Sequence, residues 1–261
     1  ENNPELTFQI NHQASVRLAE LAKAAGAKRF VYTSSCSVYG FAQGAEPMTE
    51  TSPTNPQTAY AKCKTLVERD VAALASTDFS PTFLRNATAY GASPRMRFDI
   101  VLNNLSGLAA TTGKIVMTSD GTPWRPLVHV LDICEAIVRS VEAPQEAIHN
   151  EIFNVGHDAD NFQVREIAQI VANVYPGCEL TFGASGGDNR SYRVNFSKIS
   201  TRLPGFRCSW DARKGAQQLH DVFKRIGMER STFEAKPFTR LKQLKYLSAT
   251  GQIDDRFFWN Y

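Results

Sequence analysis

No stretch of this 261-residue sequence approaches the roughly 20 consecutive apolar residues that a membrane-spanning helix requires, so no helical span is expected. Cys-x-x-Cys spacing is absent. The five cysteines (Cys36, Cys63, Cys134, Cys178, Cys208) are odd in number, and the five histidines are scattered. This argues against a disulfide framework and against a metal site, and for reduced thiols in a cytoplasmic protein. The amino terminus, Glu1-Asn2-Asn3-Pro4, lacks the basic-then-apolar layout of a signal peptide, which points the same way. The formal charge is only +3 and its basic residues are dispersed, leaving no nucleic-acid footprint. Internal repeats and low-complexity tracts are also missing. What remains is an ordinary globular composition, 43% apolar and 21% charged, long enough for one large domain or two small ones.

Hydrophobic periodicity divides the chain into alternating elements. Residues 5–25 read as a helix with Leu6, Ile10, Val16, Leu18, Leu21 and Ala25 on a recurring apolar side, stopped by Gly26. Arg29 to Thr33 is a short buried strand, 41–57 a loop, 60–75 a helix and Thr82 to Arg85 the next strand. That alternation predicts a doubly wound parallel sheet. Further on come helices at 98–110, 131–141 and 163–174 and strands at 126–130 and 151–155. The stretch 177–210, rich in Gly, Ser and Arg, suits a substrate-facing lobe, and helices at 211–226 and 237–249 close the chain.

The most informative residues are Ser35, Tyr60 and Lys64. Tyrosine and lysine four apart on a helix share one face. An ammonium beside a phenol lowers the phenol's pKa and makes it a usable base. Bringing a phenol from about 10 to about 7 takes about 4 kcal/mol, of which a charge ~6 Å away at an effective dielectric near 20 supplies roughly 3. A serine delivered by the end of a buried strand completes a hydroxyl-activating trio. The pattern points to redox chemistry on an alcohol carbon with a nicotinamide as hydride carrier. Against it stands the plain reading of a surface tyrosine beside a charged helix face, because Tyr-x-x-x-Lys is common by chance.

From Asn3 to about Lys198 the sequence resembles the extended short-chain dehydrogenase/reductases, in particular their nucleotide-sugar epimerase/dehydratase branch. The resemblance rests on Ser35 and Tyr60 at the 25-residue spacing of the sugar 4-epimerases, with Asn11 upstream. Downstream it rests on the run Arg85 to Gly91, on Asn103-Asn104-Leu105, on Arg125 with His129 and Asp132, and on Phe153-Asn154-Val155-Gly156. It implies a Rossmann-like sheet as the remainder of a dinucleotide-binding domain over residues 1–92. A smaller substrate-binding lobe would occupy 93–261, with 125–145 returning to the first domain. It implies NAD as cofactor, held by Asn11, Tyr60, Lys64, Asn86 and Ala87. A nucleotide-linked sugar would be held by Ser35, Thr88, Asn104, Arg125 and Arg190, with Arg193 an alternative phosphate ligand. Tyr60 would take the proton of a sugar hydroxyl, Ser35 would donate to the developing oxyanion, and Lys64 would hold the cofactor ribose. A homodimer paired through the helices bordering Tyr60 is implied as well.

Two departures qualify that picture. The family's opening strand and Gly-x-x-Gly-x-x-Gly turn, whose helix binds the cofactor pyrophosphate, have no counterpart before Asn11. Gly183-Ala184-Ser185-Gly186-Gly187 lies late and runs into Asp188-Asn189-Arg190 instead of a helix. The chain is therefore expected to be a carboxy-terminal piece with the first cofactor-binding units missing, including the residue that would choose NAD over NADP. Its sheet edge would be unprotected. Where the family's 4,6-dehydratases and decarboxylases carry an acid two residues after the serine, this sequence has Ser37, which favours epimerisation or simple oxidoreduction. Position 88 is Thr88, where 4-epimerases commonly carry asparagine. Cys36 is either an acid/base or a packed small residue, the latter preferred. His129 and Asp132 read as structural, with Asp132 placed to cap the following helix. A reductase or 4,6-dehydratase of the same family is the alternative enzyme. A non-catalytic sensor or scaffold that has given up the dinucleotide site is the alternative from another class.

Overall fold

The computed structural model describes residues 3–41, 46–184 and 191–260. In chain order its elements are α1 (Pro4–Phe8), a π-helical turn (Gln9–Gln13), α2 (Ala14–Ala24), β1 (Arg29–Ser35), α3 (Ala59–Ala72), β2 (Ser80–Asn86) and β3 (Thr88–Tyr90). There follow α4 (Val101–Thr112), β4 (Lys114–Val116), β5 (Trp124–His129), α5 (Val130–Glu142), α6 (Gln145–Ile148), β6 (Glu151–Val155) and β7 (Asn161–Gln163). The chain ends with α7 (Val164–Val174), β8 (Glu179–Thr181), α8 (Ser197–Arg202), α9 (Ala212–Arg225), α10 (Arg230–Phe233) and α11 (Arg240–Ala249). The helix expected over 237–249 is interrupted: Lys236–Phe238 form a 3-10 turn and α11 begins only at Arg240.

The chain divides into two compact units. The first comprises residues 1–89, 122–164 and 186–211. Its centre is a parallel sheet of order β1–β2–β6, with Arg29 opposite Ser80 and Thr82 opposite Glu151. Both faces are covered, as a parallel sheet requires. On one face Tyr32 and Phe83 pack with Ala19 of α2 and Val67 and Val71 of α3. On the other, Leu84, Phe153 and Val155 pack with Ala136 of α5 and Ile199 of α8. Alternation along a strand explains the division, since Phe83 and Leu84 point to opposite faces. This is the Rossmann-like architecture expected from the sequence. Among the described residues no strand pairs with the outer edge of β1. A second small sheet has the order β3–β5–β7.

Local signals set the helix starts. Asn3 caps α1, accepting from Leu6 N at 2.9 Å with Pro4 following it, and Thr58 caps α3 through Ala61 N at 3.1 Å. The cap of α5 is His129, whose ring accepts from Leu131 N at 3.2 Å. The carboxylate of Asp132 instead receives the backbone N–H groups of Ser209 and Trp210 at 2.9 and 3.2 Å, pinning a distant loop. Both residues are structural, but the capping role falls three positions earlier than expected.

The second unit comprises residues 90–121, 165–185 and 212–261. There α4 packs on α9 and α10, and Phe98 gathers Phe223, Phe233 and Phe238 at ring-centroid distances of 5.8, 5.0 and 5.1 Å. Strands β4 and β8 pair in parallel beside them.

Candidate active site

Pairing of β1 with β2 sets Ser35 in register with Asn86, so two carboxyl strand ends open side by side. That is where open α/β sheets place their ligands. Ser35 ends β1, and its Oγ accepts from Ser37 N at 3.2 Å, starting the 3-10 turn Cys36–Tyr39. Tyr60 lies in the first turn of α3 with 41% of its surface exposed. Lys64, one turn on, is buried. Its Nζ donates to Thr33 O of β1 at 2.7 Å and lies 4.4 Å from the Tyr32 ring centroid and 5.4 Å from that of Tyr60. One ammonium thus joins the end of β1 to the tyrosine face of α3.

Burial pushes the Lys64 ammonium down from its ordinary 10.5 to about 8, with Glu68 and Cys63 pulling the other way. Between those two values the unfolded chain holds a proton that the folded chain has released. Stability from this group therefore rises with pH across that window and is lowest below it. Substituting Lys64→Met keeps the volume and removes the titration. Urea midpoints measured from pH 8 to 10 are expected to climb in the parent relative to the variant. Parallel midpoint curves would rule the shift out.

The other expected site residues are distributed as follows. Asn86 directs its amide nitrogen at Ser34 O at 3.5 Å, while its Oδ1 is buried and without a hydrogen-bond partner among the described residues. Ala87 is buried and donates its N–H to Val155 O at 3.0 Å, and Thr88 begins β3 immediately after. Asn11 sits in the π-helical turn, its amide donating to Thr7 O at 3.1 Å. That turn touches α3, since His12 meets Asp70 at 2.7 Å, and α1 before it does so where the Cys63 thiol points at Thr7 O. Arg125 lies on β5, half-buried, with a guanidinium nitrogen 2.7 Å from Trp124 O. Arg193 lays its guanidinium 5.2 Å from the Trp124 ring centroid. Asn104 belongs to the second unit, where its amide donates to Phe98 O at 2.8 Å. Arg190 lies outside the described residues. The structure thus sets Ser35, Asn86 and Ala87 at adjoining strand ends and ties Lys64, which lies against the Tyr60 ring, to Thr33 of β1.

Cys36 is buried and donates its thiol to Arg85 O at 3.0 Å, and burial pushes that thiol far up. A thiol so held is packing material and no proton carrier near neutral pH. His129 is fully buried and stacks on Trp210, centroids 4.0 Å apart.

Sequence reasoning missed the charged pair beneath the trio. Glu68, one turn beyond Lys64, is clamped by Arg85 of β2, with Nη2–Oε2 at 2.6 Å and Nε–Oε1 at 3.0 Å, and both side chains are only 5% exposed. Ser34 Oγ donates to the same carboxylate. Arg85 continues to Tyr39 Oη at 3.0 Å, and Tyr39 donates to Asn154 Oδ1 at 2.7 Å. The available signal was the spacing Tyr60, Lys64, Glu68, which puts an acid on the helix face that turns inward.

Residues 1–156 match the family model of the NAD dependent epimerase/dehydratase family. UDP-glucose 4-epimerase of Bacillus subtilis is 26% identical over 232 residues, which cover 81% of this chain and 66% of that enzyme. The enzyme of the same name from Rhizobium leguminosarum bv. trifolii is 31% identical over 159 residues, 54% of this chain and 47% of that one. Among solved structures, MoeE5 in complex with UDP-glucuronic acid and NAD superposes with a TM-score of 0.71 at 28% identity, over 84% of this chain and 72% of that chain. The chain spans between about half and two thirds of the length of these curated relatives.

Proposed function

The chain belongs to the NAD dependent epimerase/dehydratase family, and from that premise we propose that it epimerises a nucleotide-linked sugar through a transient keto-sugar, with Tyr60 as base. The observation that carries this reading is the placement of Lys64. Its buried ammonium bonds the Thr33 carbonyl, two residues before Ser35 on β1, and lies 5.4 Å from the ring centroid of the exposed Tyr60. The relatives named as UDP-glucose 4-epimerases support the choice of reaction, as does Ser37, which offers no carboxylate for an elimination.

Residues at the strand ends fit the nicotinamide end of NAD. Asn86 Oδ1 is a buried acceptor without a donor among the described residues, which suits a ligand N–H. Asn11, Tyr60, Lys64, Asn86 and Ala87 would hold that end. When bound, the nicotinamide supplies a hydride acceptor that gives back what it takes, so it is not consumed. The chain's own residues do the rest. Tyr60 takes the proton of the sugar hydroxyl and later returns it, Ser35 donates to the same oxygen, and the charge of Lys64 favours the phenolate. Thr88 would contact the sugar nucleotide, and Arg125 would grip its diphosphate, a task suited to the guanidinium fork. The test is to incubate the protein with NAD and UDP-glucose. The epimeric UDP-sugar should accumulate to a fixed ratio with no net change in NAD. Failure to epimerise any nucleotide sugar that it demonstrably binds would overturn the reading.

The same reading makes the protein a homodimer paired through the α1–α2 segment and α3. Ile10, Leu18 and Leu21 leave 58%, 60% and 53% of their surfaces exposed there, which supports it. Sedimentation should give a dimer that Leu18→Arg with Leu21→Arg converts to a folded monomer. A monomeric parent protein would dispose of the pairing.

A further inference from the structure

Glu68 is a buried acid that the reaction just described does not use. Three contacts converge on it. Arg85 of β2 clamps its carboxylate through two nitrogens, and Ser34 of β1 donates to it. Lys64, one helical turn earlier on the same face of α3, carries its charge within the field of that carboxylate. Thr33, Ser34 and Ser35 are consecutive at the end of β1. The first is tied to α3 by Lys64, the second by Glu68, and the third carries the hydroxyl proposed to act on substrate. A carboxylate at this depth is costly to bury without partners, and one of those partners, Ser34, directly precedes Ser35.

Resting on the proposed function, we propose that Glu68 is a positioning residue of this centre. It fixes the Ser35 end of β1 against the Tyr60 face of α3 through Ser34, and it balances the buried charge of Lys64. Other groups facing Lys64 do not duplicate this. On α3 they are Tyr60 and Cys63, and on β1 Tyr32, none of them a carboxylate. Across the neighbouring helix His12 is engaged with Asp70, and on β2 the charge of Arg85 is spent on Glu68 itself.

The test uses three variants and two readouts. Protein carrying lysine labelled with carbon-13 at Cε reports the Lys64 titration by NMR without any turnover. The pH profile of kcat reports its consequence. In Glu68→Gln, Lys64 is expected to titrate about one unit or more below the parent's, and the alkaline limb of kcat to move down with it, because the balancing charge is gone. In Glu68→Asp the titration should stay near the parent's while kcat falls, since the charge is kept and the reach is shortened. Ser34→Ala, a small change that leaves the ion pair intact, should lower kcat roughly ten-fold with KM and the Lys64 titration unmoved. If Glu68→Gln does not fold, the other two variants still decide. The proposal is overturned by an unchanged Lys64 titration in Glu68→Gln, by a Glu68→Asp titration that falls as far as in Glu68→Gln, or by parental kcat in Ser34→Ala. The titration can be read in an inactive protein, so loss of the epimerase reading and loss of this proposal are separate results.

Discussion

Tyr60→Phe is expected to lower kcat by roughly three orders of magnitude, within the 10²–10⁴-fold that a positioned acid/base supplies, while nucleotide-sugar affinity stays within about two-fold. The substitution removes one oxygen and nothing else. Tyr60 has 41% of its surface in solvent, and the aromatic ring that remains keeps its packing. Lys64 keeps its bond to Thr33 O and its place over Tyr32, so the sheet end and helix stay in register. Losses in kcat with KM unmoved mark an interaction made only in the transition state. Ser35→Ala should cost less, on the order of 10²-fold, because it removes a hydrogen-bond donor and leaves the base in place. The decisive measurement is pre-steady-state absorbance of reduced nicotinamide after mixing with nucleotide sugar. A Tyr60→Phe protein that still reduces bound NAD within ten-fold of the parental rate would show that the proton leaves by another route.

The large elements were legible because each carries its own period. Helices α3, α5, α7 and α9 and strands β1, β2 and β6 lie within a few residues of where apolar spacing puts them. The π-helical turn over Gln9–Gln13 was not legible. It inserts one residue into an otherwise regular helix, and what accompanies it is a tertiary contact no local pattern shows, His12 with Asp70 of α3. Strands β3, β4, β7 and β8 are three residues each, too short to show alternation, and exist through pairing with distant partners. The candidate site divides in the same way. Ser35, Tyr60 and Lys64 announce themselves through local spacing. Glu68 and Arg85 read as two unrelated charges, one on a helix and one on a strand, until the fold brings them to 2.6 Å. Tyr39 and Asn154 are 115 positions apart, and no local pattern links a phenol to so distant an amide. Because caps are local, the sequence points Asp132 at its own helix, whereas its carboxylate serves residues 77 and 78 positions away.

Gly40→Ala should be among the most destabilising single substitutions in the first unit, by about 3 kcal/mol or more, with activity lost in proportion. Gly40 follows the 3-10 turn that Ser35 initiates, with φ +63° and ψ −104°, a combination that side-chain-bearing residues avoid. An added Cβ would also stand 1.9 Å from Asn55 O and 3.1 Å from Gln57 Cγ. The backbone at Asn55 has little room to retreat, because its N–H is bonded to Val38 O at 2.9 Å within the same turn. Relief must therefore come from shifting the turn itself, and the turn holds Tyr39, whose hydroxyl accepts from Arg85 and donates to Asn154. Strain at Gly40 would thus reach the Glu68–Arg85 pair and the Ser35 hydroxyl together. Gly26→Ala separates the two contributions: φ there is +82° but nothing lies within 4 Å of the added carbon. That control should cost only the roughly 1–2 kcal/mol of left-handed backbone strain. Denaturant midpoints for the two variants should differ widely in one direction. Equal losses would mean that the turn after Ser35 yields easily, and that the serine is held by something other than this close approach of two backbone segments.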